Sequence, residues 1–361
     1  MTNFNNGKAQ PLNTLIPTPN GLEYLGNLTI GDYVFDRLGK PTQIIGTYFR
    51  GPQRAYKVIL SDARSTICGI DHLWRYYNKH DKFVREPLFK LLERGILNNQ
   101  GRARYKIPNN NAVEYIEKDY FIDPYIIGVF LGDGCCLEKQ FSLSSPDIEI
   151  VEEIERLTNS ISKKNPANNY TWTFKDKKEN HLLKTKDIFK FYEDYLIQYS
   201  YNKRIPYFYM LGSIQQRFAL LQGLMDTDGS IGFCEGRFNV TYSTTSAGLA
   251  FDISQLAYSL GLSASITKDN RIEKYTTNVC YKVSFRIPNE IKPMLFRKCK
   301  HKCELALNSI NYPKRHNYNR NIIVSVEDLG YDVGMMCIFV DNIEQLYLTD
   351  NFIVTHNTDI Y

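Results

Sequence analysis

Two carboxylates stand at equivalent ends of two similar apolar runs. In YIIGVFLGDG (125–134) and LLQGLMDTDG (220–229), a glycine is followed four positions later by a small residue, then by Asp-Gly. Two such runs packed side by side would bring Asp133 and Asp228 out together. Paired carboxylates of that kind hold a divalent cation that activates water and stabilises a leaving oxygen at phosphorus. Either run alone reads equally as a buried helix ending in an Asp-Gly turn; the pair points to a shared acidic site. A second chemistry sits near the other end, in FIVTHNT. The side-chain amide of Asn357 can attack its own carbonyl carbon, form a succinimide and cut the bond to Thr358, with His356 moving the protons. On its own, His-Asn-Thr also occurs as ordinary surface sequence. Cys337 lies in the same segment, and IDHLW supplies His72 and Trp74 far upstream.

The elements that must position these residues differ along the chain. Residues 12–75 and 322–355 alternate β-branched and aromatic residues with Gly, Pro, Asn and Asp, which reads as short strands and turns. The middle carries helical patterning over 125–133, 147–162, 183–199, 213–228 and 247–260, with strands such as FNVTYSTT and CYKVSFRI between. Gly128 and Gly132, and Gly223 and Thr227, lie four apart on one helix face, which lets two backbones approach closely. Gly134 and Gly229 suit a helix stop. The organisation expected is an α/β domain inserted into an all-β domain split in sequence.

Composition narrows the class. The chain has 361 residues, 43% of them hydrophobic, and a formal net charge of only +5, which excludes a disordered chain and demands no nucleic-acid partner. No apolar run reaches membrane-spanning length, and the start lacks the apolar core of a secretory signal. Eight cysteines spread thinly over this length suit a reducing interior better than a disulfide framework. A soluble, cytoplasmic, monomeric protein of phage or prokaryotic type is expected. The exception to the even charge is 286–320, with nine Lys/Arg against two Glu, a stretch that reads either as a solvated face or as one that can neutralise phosphates. CKHKC (299–303) offers only three metal ligands, Cys299, His301 and Cys303, at a spacing unusual for zinc.

The middle of the chain, 116–318, resembles the single-chain LAGLIDADG homing endonucleases, with two pseudo-symmetric αββαββα halves. The second motif is close to the family pattern; the first has Leu131 at a structural position usually held by Asp, and keeps Asp133 at the metal-binding one. The resemblance implies Mg²⁺ held by Asp133 and Asp228, cutting of both strands of double-stranded DNA at a long specific site, and a basic active-site role for Lys203 in NKRIP. A solvated Lys before a helix is the other reading of Lys203.

The two ends resemble the splicing domain of an intein, the horseshoe-shaped all-β Hint fold. QPLNTLIPTPNGLEYLGNLTIGDYVFD is similar to an intein start, STICGIDHLW to the block with the N-junction histidine, and CIFVDNIEQLYLTDNFIVTHNT to an intein end. The implied division is 1–8 and 358–361 as host remnants, 9–115 and 319–357 as splicing domain, and 116–318 as endonuclease. Ala9 stands where most inteins have Cys or Ser, Gly69 where many have Thr, and Cys337 where Asp is frequent. These departures resemble class 3 inteins, which lack the first nucleophile and carry Trp, Cys and Thr at set positions, here Trp74, Cys337 and Thr355. The implied route needs no cofactor. Cys337 attacks at the Lys8–Ala9 junction with help from His72, the acyl group moves to Thr358, and Asn357 cyclises with help from His356. Joined, the flanks read NFNNGKTDIY, whose Gly-Lys-Thr hints at a host protein in cis with a phosphate-binding loop, such as a phage terminase or helicase. The alternative is a splicing-blocked intein, its first Cys replaced by Ala, acting only as a DNA endonuclease or DNA-binding protein.

Overall fold

The computed structural model describes residues 9–137, 140–168, 170–177, 190–191, 194, 199–269, 279–312 and 320–356. They form two compact units, Met1–Glu114 with Asn317–Tyr361, and Tyr115–His316.

The first unit is built on strands. Its spine is the antiparallel pair Pro41–Leu60 and Arg320–Val340, so segments far apart in sequence share one sheet. Four register shifts interrupt the pair, one of them between Met335 and Met336; such bulges bend long strands that would otherwise run flat. Strand Gln10–Pro11 joins the edge opposite Met336 and Met335, and a hairpin of Leu346–Thr349 and Ile353–His356 follows the spine. One core cluster gathers Val58, Cys68, Trp74, Leu91, Ile323 and Ile353. A second gathers Ile16, Val34, Ile44, Ile338 and Tyr347. The short helix Leu88–Arg94 stops at Gly95, whose φ of 79° favours glycine.

The second unit repeats itself. Helix Pro124–Asp133, strands Gly134–Leu137 and Gln140–Ser144, helix Ile148–Thr158 and strands Ser160–Lys164 and Thr171–Asp176 come first. Helix Ile214–Thr227, strands Gly229–Cys234 and Arg237–Thr244, helix Ala247–Ser259 and strands Ser263–Asp269 and Cys280–Arg286 repeat the order. Each half forms a four-stranded antiparallel sheet in which the third and fourth strands change places in the spatial order. Local chemistry starts the helices: Asp123 accepts from the Tyr125 N–H ahead of Pro124, and Ser213 with Gln216 makes a reciprocal capping box. The helical pattern at 183–199 falls almost wholly outside the described residues. Helix Lys300–Ser309 lies inside the stretch whose charge alone drew notice in the sequence. No helix among the described residues is long and apolar enough to cross a membrane.

Candidate functional site

The motif helices Pro124–Asp133 and Ile214–Thr227 touch through their small residues. A Cβ added to Gly128 would come 2.2 Å from the Leu220 carbonyl oxygen, and one on Gly223 would come 2.1 Å from that of Tyr125. One on Gly132 would fall 2.0 Å from the Thr227 hydroxyl. Any side chain at these positions would push the helices apart. Gly134 and Gly229 do end the helices, but not through a left-handed φ: Gly134 is extended at φ −72°. Glycine is needed because a Cβ there would meet Phe130 Cα at 2.6 Å, and at 229 the Met225 carbonyl at 2.4 Å.

This packing carries Asp133 and Asp228 into each other's field. Burial, and then the Asp228 charge, push the Asp133 carboxyl up to about 7. Asp228 keeps solvent exposure as a residue, yet burial of its carboxyl raises it too, opposed by Lys203, a Tyr242 hydrogen bond and Lys302. Lys203 is anchored, not freely solvated: its Nζ donates to the Leu131 and Gly132 carbonyls at 2.7 and 2.8 Å. Lys302 does the same for the second helix, donating to Met225, Asp226 and Thr227 carbonyls at 3.1, 2.8 and 2.6 Å. Two cations thus satisfy the exposed carbonyl ends of two helices, where the helix dipole is negative. Lys302 went unnoticed in the sequence because CKHKC reads as a metal motif; about 200° of helix separates His301 from Cys303. Asp226, at the position where the first motif has Leu131, accepts from Tyr125 Oη at 2.9 Å and from the Arg297 and Lys298 N–H groups at 3.0 and 2.8 Å. Its role is to fasten the helix.

Much of the basic stretch 286–320 is engaged within the fold, while Arg286 and Lys300 stay exposed. Lys292 is buried, donating to the Phe238 carbonyl and Asn289 Oδ1 at 2.7 and 2.8 Å. Arg297 and Lys298 pair with Glu153, which Arg156 and these cations hold down at about 2. Arg320 pairs with Asp81, and Lys314 and Arg315 lie outside the described residues. Carboxylates and carbonyls ordered by the fold hold Lys292, Arg297, Lys298, Lys302 and Arg320. The outward polar residues stand instead on the sheets: Arg237, Asn239, Thr241 and Ser243 alternate with buried Phe238, Val240 and Tyr242.

In the strand-built unit the chemistry is assembled by register. Gln10 and Pro11 pair with Met336 and Met335; carried one residue outward, the same register sets Ala9 across from Cys337. Ala9 is fully buried, and its carbonyl accepts from the Gly69 N–H at 3.0 Å. Gln10, also fully buried, fixes this strand. Its Nε2 donates to Thr66 and Thr349 hydroxyls at 3.0 and 2.9 Å, and its Oε1 accepts from Tyr347 at 2.8 Å. Cys337 is 1% exposed; its Sγ lies 3.7 Å from the Tyr48 carbonyl and 3.4 Å from Arg50 Nε, which donates to it. His72 is buried, with Nε2 2.5 Å from Thr355 Oγ1. Its ring meets Trp74 edge-on at 5.7 Å. The Trp74 N–H has no oxygen or nitrogen acceptor among the described residues. It neighbours the Cys68 thiol, which burial pushes up to about 12. His356 is 1% exposed on the last strand. Lys8, Asn357 and Thr358 lie outside the described residues. Gln10, Arg50 and Tyr347 carry no motif, so only the fold reveals them.

A family model described as a LAGLIDADG-like domain matches residues 215–292. That likeness covers less than half of the chain. The match falls on the half whose motif keeps both aspartates, Asp226 and Asp228. Among curated proteins, the chain is 26% identical over 377 positions to "Replicative DNA helicase DnaB" of Mycobacterium intracellulare, an alignment taking in 98% of this chain and 59% of that protein. The chain therefore spans less than two thirds of that relative's length. Among solved structures, the Msm DnaB1 intein splicing domain bound with zinc is 26% identical with a TM-score of 0.18, covering 20% of this chain and 57% of that one. The homing endonuclease I-DmoI in complex with DNA and Mn is 10% identical with a TM-score of 0.31, covering 53% and 97%.

Proposed function

We propose that this chain is an intein that excises itself by a class 3 route and that its LAGLIDADG-like domain cuts double-stranded DNA. The observation that carries the splicing reading is the register that pairs Gln10 with Met336 and Pro11 with Met335, which brings the strand after the junction beside the strand that holds Cys337. With no hydroxyl or thiol at residue 9, the nucleophile must come from elsewhere, and Cys337 follows directly on the paired Met336. The Cys337 sulfur attacks the Lys8 carbonyl carbon, and the Ala9 nitrogen leaves with a proton. His72 is the proton carrier; Thr355 at Nε2 and Trp74 at the ring edge hold its imidazole in place. The Thr358 hydroxyl then takes the acyl group from sulfur, held close enough for a poor alcohol nucleophile to react. Asn357 cyclises with His356 beside it, and an ester-to-amide shift joins Lys8 to Thr358.

For the nuclease, Asp133 and Asp228 offer two hard oxygen donors whose mutual repulsion a divalent cation relieves. No group of three or more His, Cys, Asp or Glu converges among the described residues, so phosphate and water would complete the shell of Mg²⁺. When bound, such an ion activates water and stabilises the leaving oxygen. Lys203 and Lys302 temper the carboxylate charge, and the polar sheet face around Arg237, Asn239 and Thr241 contacts DNA. The DnaB relative favours a replicative helicase over a terminase as host of the Gly-Lys-Thr junction.

Intact-mass spectrometry tests splicing: a product of residues 9–357 and a peptide joining 1–8 to 358–361 are expected. Plasmid linearisation with Mg²⁺ tests the nuclease. Linearisation with no excised product would favour the splicing-blocked alternative.

A further inference from the structure

We infer that Arg50 is a catalytic residue of the splicing reaction, the cation that faces the negative charge carried by the Cys337 sulfur both when it attacks and when it leaves. The inference rests on the reading of Cys337 as the nucleophile.

Two independent features place Arg50. The ladder between the spine strands pairs Met336 with Phe49 and Met335 with Gly51, so Arg50 is the extra residue of a β-bulge opposite no partner. A bulge bends its strand and re-aims a side chain, and Gly51 beside it takes a φ of +71° in open space. Diagonal neighbours in an antiparallel ladder normally stand ~7–8 Å apart. Here, with Cys337 paired to Tyr48, the half-buried Arg50 reaches in until Nε donates to Sγ at 3.4 Å. Its guanidinium also lies 5.5 Å from the centroid of the Tyr48 ring, a contact that favours a cation over an aromatic face. The bulge, the aromatic shelf and the hydrogen bond converge on the Cys337 sulfur.

The chemistry asks for a cation here. Cys337 is 1% exposed, and a buried thiolate without a paired charge is strongly disfavoured. In the first transfer the Sγ–C bond forms, the Lys8–Ala9 C–N bond breaks, and its electron pair goes to the Ala9 nitrogen, which gains a proton. In the second, the Thr358 oxygen bonds to that carbon and the C–S pair returns to sulfur. Arg50 gives up no proton in either step; it faces negative sulfur at the start of one and at the end of the other. The gain is moderated, because each tenfold rise in thiolate fraction costs about threefold in intrinsic reactivity. A net effect of about three- to tenfold near neutrality follows.

The test uses the full chain with Asn357→Ala and Thr358→Ala, which stop the later steps. Release of residues 1–8 is driven by excess hydroxylamine, so that thioester formation limits the rate, and is followed by mass spectrometry from pH 6 to 9.5. Rates are compared as ratios at each pH, so the reagent's own titration cancels. Arg50→Gln is expected to be about three- to tenfold slower at pH 6.5 and to converge on the parent near pH 9.5. Arg50→Lys, which keeps a cation, stays within about twofold throughout. A ratio that is the same at every pH, whether unity or a uniform loss, overturns the proposal and leaves Arg50 a shape-filling residue. If Arg50→Gln does not fold, Arg50→Lys decides: a uniform loss or a profile displaced to high pH overturns it. Release that persists in Cys337→Ala marks instead the failure of the reading on which the proposal rests.

Discussion

The two units solve the positioning of reactive groups in opposite ways. In the unit with the paired motif helices, Asp133 and Asp228 sit at the ends of helices whose contact is set by glycines within the same ten-residue motifs. In the strand-built unit, Arg50 and Cys337, and His72 and Thr355, are strangers in sequence that strand pairing and a bulge bring into contact. A site written into a repeated local motif tolerates distant change and fails when its motif is touched. A site written into register depends on residues with no chemistry of their own.

Predictions that exploit this contrast run from large effects to small. Asp133→Asn or Asp228→Asn is expected to lower Mg²⁺-dependent plasmid cutting by at least about 10³-fold while the mass spectrum of spliced product stays unchanged. Unchanged cutting in both variants would remove the acidic pair from the chemistry. Gly128→Leu should part the motif helices and destabilise the second unit by about 3 kcal/mol or more, given backbone atoms 2.2 Å from a new Cβ. Urea unfolding followed by Trp172 in a Trp74→Phe background measures it, and splicing of Gly128→Leu in the chain that keeps Trp74 is the control that should not move.

A buried carboxyl gives a pH-dependent test. Burial raises Asp350 to about 6 from its ordinary 3.8, so the native state binds its proton more tightly than the unfolded chain does. The stability this confers is present below about pH 4 and is lost as pH rises through 6, by about 3 kcal/mol at most. Unfolding followed by Trp74 in a Trp172→Phe background should show that decline, and Asp350→Asn should flatten it. Smaller still is Gln10→Ala, which leaves the buried Tyr347 hydroxyl without its acceptor and costs about 2 kcal/mol. Because the clamp holds the junction strand, release of residues 1–8 should slow more than stability alone would require. Equal rates for parent and variant would show that register survives without the clamp.

How much of this was legible in the sequence follows the same contrast. The motif helices, their Gly faces and the two aspartates could be read directly, because helix periodicity and close packing leave a local signature. Cys337, His72, Trp74 and Thr355 could be named through resemblance, but not their contacts: nothing local says that Thr355 meets His72 Nε2. The charge run at 286–320 misled, since a count of cations does not say that Lys302 caps a helix or that Lys292 is buried. Arg50, Gln10 and Tyr347 were invisible, because their partners lie up to hundreds of residues away and a bulge has no composition.

The most direct test of the central claim is to trap the first intermediate. In the full chain carrying Asn357→Ala and Thr358→Ala, acid quenching and peptide mapping should find residues 1–8 joined through a thioester to Cys337 and a free amine at Ala9. Residues 1–8 found still attached to Ala9 in every molecule, or acylating any residue other than Cys337, would contradict it.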